Sequence, residues 1–288
     1  MMFRRPMDNY DLKKYYPAIF AEGEKETLSE KYLYIPTFKL IEGLQKQGFS
    51  VVGAKQMGSR GPNKEFAKHV VYLSHGESSN EATKLLGPGH NFFQNAPEIP
   101  LLALTNSHNG LSSFQIDTSF FRLLCSNGLL MPTTSLNSAR IVHKVGMQND
   151  VIEASFKVMQ SFPEQIAQIA EMKEISLHQD ERLALAQVAA NIAFDEKEIE
   201  LNRELKRDIG GKLLSARRRE DQKQDLWSTF NIIQENVIKG GIRIVRENEA
   251  GKRSYSSTRA VNSIDRDAKL NRELMALAQK MAEIKRGA

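Results

Sequence analysis

The spacing of hydrophobic and polar residues predicts a sheet in the first half of the chain. Residues 37–47 lie between Pro36 and Gly48 and are predicted as a short helix, because proline favours the start of a helix and glycine its end. Asn109-Gly110 favours a type I′ hairpin turn, in which both central residues have positive φ. Apolar runs and alternating runs predict four strands: 49–57, 69–75, 99–106 and 111–117.

A short helix is predicted over Ser119–Ser126, with Asp117 or Thr118 as its cap. After Phe156 apolar residues recur mostly at helical spacing, and helices are predicted through residues 154–219. In the first half, residues 1–30 are interpreted as an arm with little structure of its own, 140–145 as one more strand and 150–156 as the start of a helix. In the second half, an amphipathic helix is predicted over 226–238, ending at Lys239-Gly240-Gly241, and a short strand over 242–245. Residues 247–267 are interpreted as mobile or ordered only by a ligand, and 270–285 as a terminal helix that packs on the body or on a neighbouring subunit.

This order of elements predicts an α+β fold. An antiparallel sheet with packed helices is expected in the N-terminal half and long helices in the C-terminal half, because short polar turns favour antiparallel pairing. The domain organisation expected is an N-terminal arm over residues 1–30, an α+β core with a helical second half over 31–245, and a basic tail with a terminal helix over 246–288.

Composition is that of a globular protein rather than a membrane protein. The chain has 288 residues, of which 41% are hydrophobic and 26% charged, and no window approaches twenty consecutive apolar residues. Arg4 and Arg5 are not followed by the apolar stretch of a secretory signal. The lone cysteine, Cys125, excludes an internal disulfide and fits a reducing compartment. We therefore expect a cytoplasmic protein that contacts no membrane.

Positive charge is concentrated near the C-terminus. The net charge is +5, and residues 239–288 carry twelve Lys or Arg against six Asp or Glu, which gives +6 for this segment and −1 for the rest. A basic segment on a nearly neutral body is typical of nucleic-acid binding. The alternative is a basic helix that is simply solvated.

The segment 55–68 combines four cations with a single acid, Glu65, and with glycines and an aromatic residue. Glycines let backbone amides approach a phosphate, the cations supply charge, and a phenylalanine can stack on a base. A plain surface hairpin is the alternative. The candidate nucleic-acid-binding residues are Lys55, Arg60, Lys64, Phe66 and Lys68, together with Arg122, Arg243, Arg246 and Arg259 elsewhere in the chain.

Two polar residues fall in the predicted helix 119–126. Arg122 is either an internal ion-pair partner, for instance of Asp117, or a phosphate ligand. Cys125 is interpreted as a small buried apolar residue, so Cys125→Ser is expected to leave DNA binding intact; the alternative is a nucleophile activated by His108 or His143.

Other polar residues support no catalytic assignment. His108 is interpreted as part of the turn chemistry beside Asn106 and Asn109. The amides of Asn106, Asn127 and Asn236 fit either internal hydrogen bonds or contacts to bases and phosphates. The chain has no glycine-rich phosphate loop and no Cys-x-x-Cys or His-x-x-x-His pair, so nucleotide hydrolysis and structural zinc are not expected. No cofactor, metal or catalytic residue is assigned, and three histidines meeting across loops are the remaining possibility for a metal.

Five blocks of the sequence resemble a family of phage and plasmid proteins that is described only as a domain of unknown function. The resemblance covers roughly residues 35–241, and it implies carriage on a phage or plasmid without implying a reaction. The blocks are Gln56–Arg60, Ala67–His69, Asn106–Ser113, Phe121–Gly128 and Leu226–Gly241.

These features together predict a single-stranded DNA-binding and annealing protein that acts in recombination. Annealers need no catalytic residues, because they hold the strand backbone in a basic groove of a ring or filament with the bases exposed. Phage annealing proteins of the Redβ, Erf and Sak types are similar in architecture, although none of their motifs is matched. The alternatives are an effector that binds a host protein and a Cys/His-dependent enzyme.

Overall fold

The computed structural model describes residues 7–22, 34, 36–58, 65–76, 98–108, 114–122, 128–130, 139–141, 147–194, 203–217, 221–247 and 253–287. The chain divides into two units, residues 1–167 and 168–288. The predicted α+β class is confirmed, because an antiparallel sheet forms the centre of the first unit and helices form most of the second.

The sheet of the first unit consists of strands that are neighbours in chain order. Its strands are β1 (Phe49–Gln56), β2 (His69–His75), β3 (Glu98–Asn106), β4 (Phe114–Arg122) and β5 (Gly128–Leu130), with β6 (Ala139–Ile141) also paired with β4. All of these pairs are antiparallel. The predicted strands 49–57 and 69–75 and the pairing of 99–106 with 111–117 are therefore confirmed, whereas the turn Asn109-Gly110 lies outside the described residues.

Helices cover one face of this sheet. They are α1 (Asn9–Tyr15), a 3-10 helix (Pro17–Phe20), α2 (Thr37–Gln45) and α3 (Met147–Met159). Side chains alternate between the faces of a strand, so every second residue of β2 and β3 joins the core beneath the helices. This core includes Leu12, Ile19, Leu44, Val71, Leu73, Leu102, Leu104, Phe114 and Val151.

The N-terminal residues 7–22 do not form the structureless arm that the sequence suggested. The Met7 backbone N–H donates to the Val51 carbonyl at 2.7 Å, and Asp8 caps α1. Leu12 and Ile19 are fully buried. Each of these helices has only four to seven residues, so each contributes too few buried positions to show a helical period. The prediction for residues 7–22 is therefore wrong.

The predicted helix 119–126 is also wrong over its described part. Residues 119–122 continue β4 and pair with β3, for example Ser119 with Leu101. A short apolar run fits either a strand or a buried helix, and here the strand forms because its residues alternate between the two faces. Phe120 packs edge-on against Phe162, with ring centroids 6.3 Å apart. Residues 123–127, Cys125 among them, lie outside the described residues.

The second unit is mostly helical. Its elements are the later part of α4 (Phe162–Glu174), α5 (Gln179–Ala193), α6 (Arg203–Leu213), α7 (Leu226–Lys239), the hairpin of β7 (Arg243–Glu247) and β8 (Arg253–Ser257), and α8 (Ile264–Gly287). The predicted terminal helix is confirmed as α8, which packs against α5 and α7. No helix among the described residues combines the length and the apolar character needed to cross a membrane.

The predicted amphipathic helix 226–238 is confirmed as α7, and its polar residues are buried together with its apolar ones. All of residues 226–238 are buried. Its polar side chains are satisfied by neighbours instead of water: Gln234 donates to Asn271 Oδ1 at 2.9 Å, and Thr229 Oγ1 accepts from Arg182 Nε at 3.2 Å. Buried polar groups require such partners. The sequence pattern shows the helical period but not these partners.

Two glycines end α7, as predicted, and lead into the β7–β8 hairpin. Gly240 has φ +64°, and a Cβ added there would lie 2.6 Å from the Thr258 carbonyl oxygen. The Gly241 N–H donates to that carbonyl at 2.8 Å, and the Thr258 N–H donates to Ile242 O at 2.9 Å. These bonds fix the base of the hairpin. The prediction that residues 247–267 are mobile or ordered only by a ligand is wrong for 253–257, which form β8, and for 264–267, which begin α8.

Candidate nucleic-acid interface

The cations of α8 are mostly engaged in contacts within the second unit. Exposed ion pairs of this kind contribute little stability, but they leave less free positive charge on the helix. Hydrogen bonds from Lys285 and from the His178 backbone lower the pKa of Glu181. Of the six Lys and Arg residues in α8, five have such partners: Lys269 with Glu273, Lys280 with Glu283, Lys285 with Glu181, Arg286 with Glu171, and Arg266 with the carbonyl of Ala193.

The described arginines in and beside the β7–β8 hairpin differ from the cations of α8 in their partners. Residues 240–260 carry five Lys or Arg against two acids, and Lys239, which precedes them, pairs with Glu235 at 2.6 Å. Arg243 and Arg259 are both exposed, and no carboxylate in the described part of the chain forms an ion pair with either. The backbone of Arg246 lies opposite Ser254, and its side chain is outside the described residues. Among the described side chains of this segment, Arg243 and Arg259 therefore carry positive charge that no carboxylate neutralises.

One aromatic side chain shares this surface. The guanidinium of Arg243 lies 4.6 Å from the ring centroid of Tyr255, within the range of a cation–π contact. Tyr255 pairs with Val245 and is therefore a diagonal neighbour of Arg243 across the hairpin. Its side chain is 60% exposed. Sequence analysis missed Tyr255 because the whole segment was interpreted as mobile, and a lone tyrosine among serines is a weak strand signal.

The described part of the 55–68 segment places two lysines side by side. Lys55 pairs with Val70, and the Met57 N–H donates to the Lys68 carbonyl at 2.8 Å. Alternation along the two strands puts Lys55 and Lys68 on the sheet face opposite the helices, as diagonal neighbours. Both are half-buried, as is Phe66. Arg60 and Lys64 lie outside the described residues.

Arg122 is not brought together with these lysines. Arg122 lies opposite Glu98 at one end of β3, whereas Lys55 is in register with Thr105 near the other end. Seven residues of strand separate these positions, or about 23 Å. Positions 117 and 122 are five residues of strand apart, about 17 Å along β4. The Arg122 side chain itself is outside the described residues.

Four fully buried polar side chains meet where α2, β2 and β3 come together: Thr37, His69, Asn106 and His108. The Thr37 hydroxyl is their common partner. It lies 2.8 Å from His69 Nε2, 2.9 Å from Asn106 Nδ2 and 3.2 Å from His108 Nε2. The rings of His69 and His108 are 5.2 Å apart, and Tyr34 lies 5.1 Å from His108.

The partners of this cluster determine where its protons lie. His69 Nδ1 donates to the Ala67 carbonyl at 2.9 Å. Burial lowers the pKa of His69 to about 4, although this hydrogen bond opposes the shift, so the ring is neutral at pH 7. His69 Nε2 therefore accepts the Thr37 hydroxyl proton, and the Thr37 oxygen accepts from Asn106 and His108. A hydroxyl has one donor and two acceptor sites, so all three are used.

The hydrogen bonds of this cluster among the described residues are internal to the protein, which indicates a structural role. Asn106 Oδ1 also accepts from the Ser107 N–H at 2.8 Å. The interpretation of His108 as turn chemistry is wrong for its Nε2, because that atom bonds to Thr37 on α2. The second amide, Asn236, donates to the carbonyls of Leu213 and Ser215 and accepts from Arg217. Both amides are thus committed to internal bonds. Within the described ranges, no group of three His, Cys, Asp or Glu residues could hold a metal ion.

Comparison with known proteins gives a family without a stated activity. The profile of a family described as "Domain of unknown function (DUF932)" matches residues 25–275. The UPF0380 protein YafZ of Escherichia coli (strain K12) is 35% identical over 276 residues, which are 96% of this chain and 91% of YafZ. The UPF0380 protein YfjQ of the same organism is 34% identical over 276 residues, with the same coverage. No solved structure matches the chain.

Proposed function

This chain belongs to the DUF932 family, and from that premise we propose that it is a single-stranded DNA-binding and annealing protein of a phage or plasmid. It acts in homologous recombination in the cytoplasm of a bacterial host. An oligomeric ring or filament holds the strand backbone in a basic groove and leaves the bases free to pair. This activity needs cations that can reach phosphates, and it needs no catalytic group.

The observation that carries the proposal is the contrast between the β7–β8 hairpin and α8. Cations that stabilise a fold have anionic or carbonyl partners, as most of those in α8 do. Arg243 and Arg259 are exposed and lack a carboxylate partner among the described residues, in a segment, 240–260, with a net charge of +3. Such a surface attracts polyanions, because each contact with a phosphate releases condensed counterions.

The two lysines of the first unit are a second source of support. Lys55 and Lys68 lie on the same sheet face as diagonal neighbours on adjacent strands. Two cations at this spacing can contact one strand backbone.

Binding is tested by fluorescence anisotropy with a labelled oligonucleotide over a range of salt concentrations. The double variant Arg243→Gln/Arg259→Gln is expected to bind about tenfold more weakly at low salt. The slope of log affinity against log salt is expected to become shallower by about 1.4, or about 0.7 for each lost phosphate contact. Annealing of complementary labelled strands is expected to slow in parallel.

A matched control removes the same charge from α8. Lys269→Gln/Lys280→Gln neutralises two lysines whose side chains are 70% and 69% exposed and which pair with acids of the same helix. This control is expected to retain most of the affinity and slope. Equal losses of affinity in both double variants would mean that the net charge of the protein matters and the position of the two arginines does not. A wild-type protein that stays monomeric and ignores DNA would reject the proposal and favour an effector that binds a host protein.

A further inference from the structure

The ring of Tyr255 is an exposed aromatic surface held on a well-anchored hairpin. Few large apolar side chains in the described chain are as exposed, at 60%. Backbone bonds between Gly241, Ile242 and Thr258 close the base of the hairpin, and the Ile242 N–H also donates to Thr258 Oγ1 at 3.0 Å. Lys212 Nζ donates to the carbonyl of Arg243 at 3.2 Å, which ties β7 to α6. The ring is therefore presented on a fixed backbone.

The ring of Tyr255 is not part of the hydrophobic core. Among the described residues its aromatic contact is with Arg243, and that contact leaves more than half of the side chain open to solvent. Exposing an aromatic ring costs solvation free energy, which a binding partner recovers. The surrounding charge and the ring together select the partner, because five cations against two acids in residues 240–260 favour a polyanion and the ring favours flat apolar groups. Single-stranded nucleic acid has both properties.

We propose that Tyr255 stacks on an unpaired base and that Arg243, which lies against its ring, binds the adjoining phosphate. The hairpin thus takes one nucleotide of single-stranded DNA. This inference rests on the proposed function. It adds a contact to the base, which phosphate contacts alone do not provide. Duplex DNA has its bases stacked on each other, so the Tyr255 contact selects single strands, and it accepts any sequence because every base has a π face.

The test compares two labelled oligonucleotides of equal length, oligo-dT and an abasic strand with the same phosphates. Tyr255→Ala is expected to weaken binding of oligo-dT by about 5- to 100-fold, the range for one stacked base, and to leave binding of the abasic strand unchanged. Tyr255→Phe keeps the ring and is expected to bind like the wild type. Arg243→Gln is expected to weaken binding of both strands, because its phosphate contact does not depend on the base.

Tyr15 offers a matched control. It is 54% exposed, and Lys14 Nζ lies 5.3 Å from its ring centroid, so it has the same local chemistry. Its surroundings differ, because residues 7–22 carry two cations and three acids. Tyr15→Ala is expected to change neither affinity. A loss as large as that of Tyr255→Ala would show a general effect of exposed tyrosines and would overturn the assignment.

A second readout uses the unaltered protein. Oligo-dT that contains 5-iododeoxyuridine is irradiated in the complex, and the adducts are mapped by mass spectrometry. An adduct at Tyr255 and none at Tyr15 is expected. If the wild type binds neither strand, the proposed function fails. If it binds both strands, while Tyr255→Ala matches the wild type or Tyr255 carries no adduct, only the stacking site fails and phosphate binding stands.

Discussion

Acidification is expected to destabilise the first unit through His69. Burial lowers the pKa of this ring from 6.5 to about 4 in the folded protein, so the unfolded chain binds a proton more readily than the folded one. The contribution of His69 to stability is therefore fully present above about pH 6.5 and is lost as the pH falls towards 4. The loss at this one site amounts to about 2 kcal/mol between pH 7 and pH 5, and to about 3 kcal/mol once both states are protonated.

The structure also gives the reason why the proton is excluded. A protonated His69 has two donors, and its Nε2 would then face the Thr37 oxygen, whose acceptor sites already take protons from Asn106 and His108. Protonation of His69 therefore breaks one of these bonds in a fully buried site. This loss adds to the cost of a buried charge.

The assay compares wild type with His69→Gln, which does not titrate and whose amide oxygen can accept from Thr37. Urea unfolding is followed by circular dichroism at pH 7 and pH 5, and Trp227 fluorescence reports the second unit separately. The free energy of unfolding of the wild type is expected to fall by about 2 kcal/mol more than that of His69→Gln between these pH values. Equal falls in the two proteins, or an NMR titration of the His69 ring with a midpoint near 6.5, would refute the reasoning.

Two further predictions concern stability. Thr37→Val is expected to cost about 2 kcal/mol or more, because three buried polar groups lose their common partner, whereas Thr37→Ser should cost about 1 kcal/mol; comparable costs in urea unfolding would contradict the role of the hydroxyl. Gly240→Ala is expected to cost about 1–3 kcal/mol, because φ is +64° and the new Cβ would clash with the Thr258 carbonyl, whereas Gly58→Ala, whose Cβ meets nothing within 4 Å, should be nearly neutral; similar melting temperatures for both variants would count against this account.

Elements bounded by strong local signals were predictable from the sequence. Helix α2 lies between Pro36 and Gly48, and the φ of +88° at Gly48 explains why glycine is needed there. Strands β1 and β2 were found because their apolar residues stand between polar turns. Local sequence patterns failed where contacts with distant parts of the chain determine the secondary structure. Residues 119–122 fit a strand or a helix equally well by composition, and pairing with β3 makes them a strand.

The buried cluster could not be predicted for a related reason. Thr37, His69 and Asn106 are more than thirty residues apart along the chain, and they meet only because the register aligns His69 with Asn106 and α2 begins beside them. Sequence analysis marked His108 and Asn106 as notable but could not pair them with Thr37. Lys55 and Lys68 could be predicted together because they flank one short connection. Arg122 was misplaced because its position depends on whether β4 continues.

The partners of a polar residue, more than its type, indicate where function lies in this chain. Asn106, His108 and Asn236 are the polar residues that a reader of the sequence notices first, yet their visible bonds are internal and account for their presence. Arg243 and Tyr255 lie in a segment that looks unremarkable, and the contact that the described residues show for their side chains is with each other. Because the fold does not require their exposed charge and ring surface, substitutions there should alter binding with little effect on folding. Mutagenesis of the hairpin therefore separates function from stability more cleanly than mutagenesis of the buried cluster.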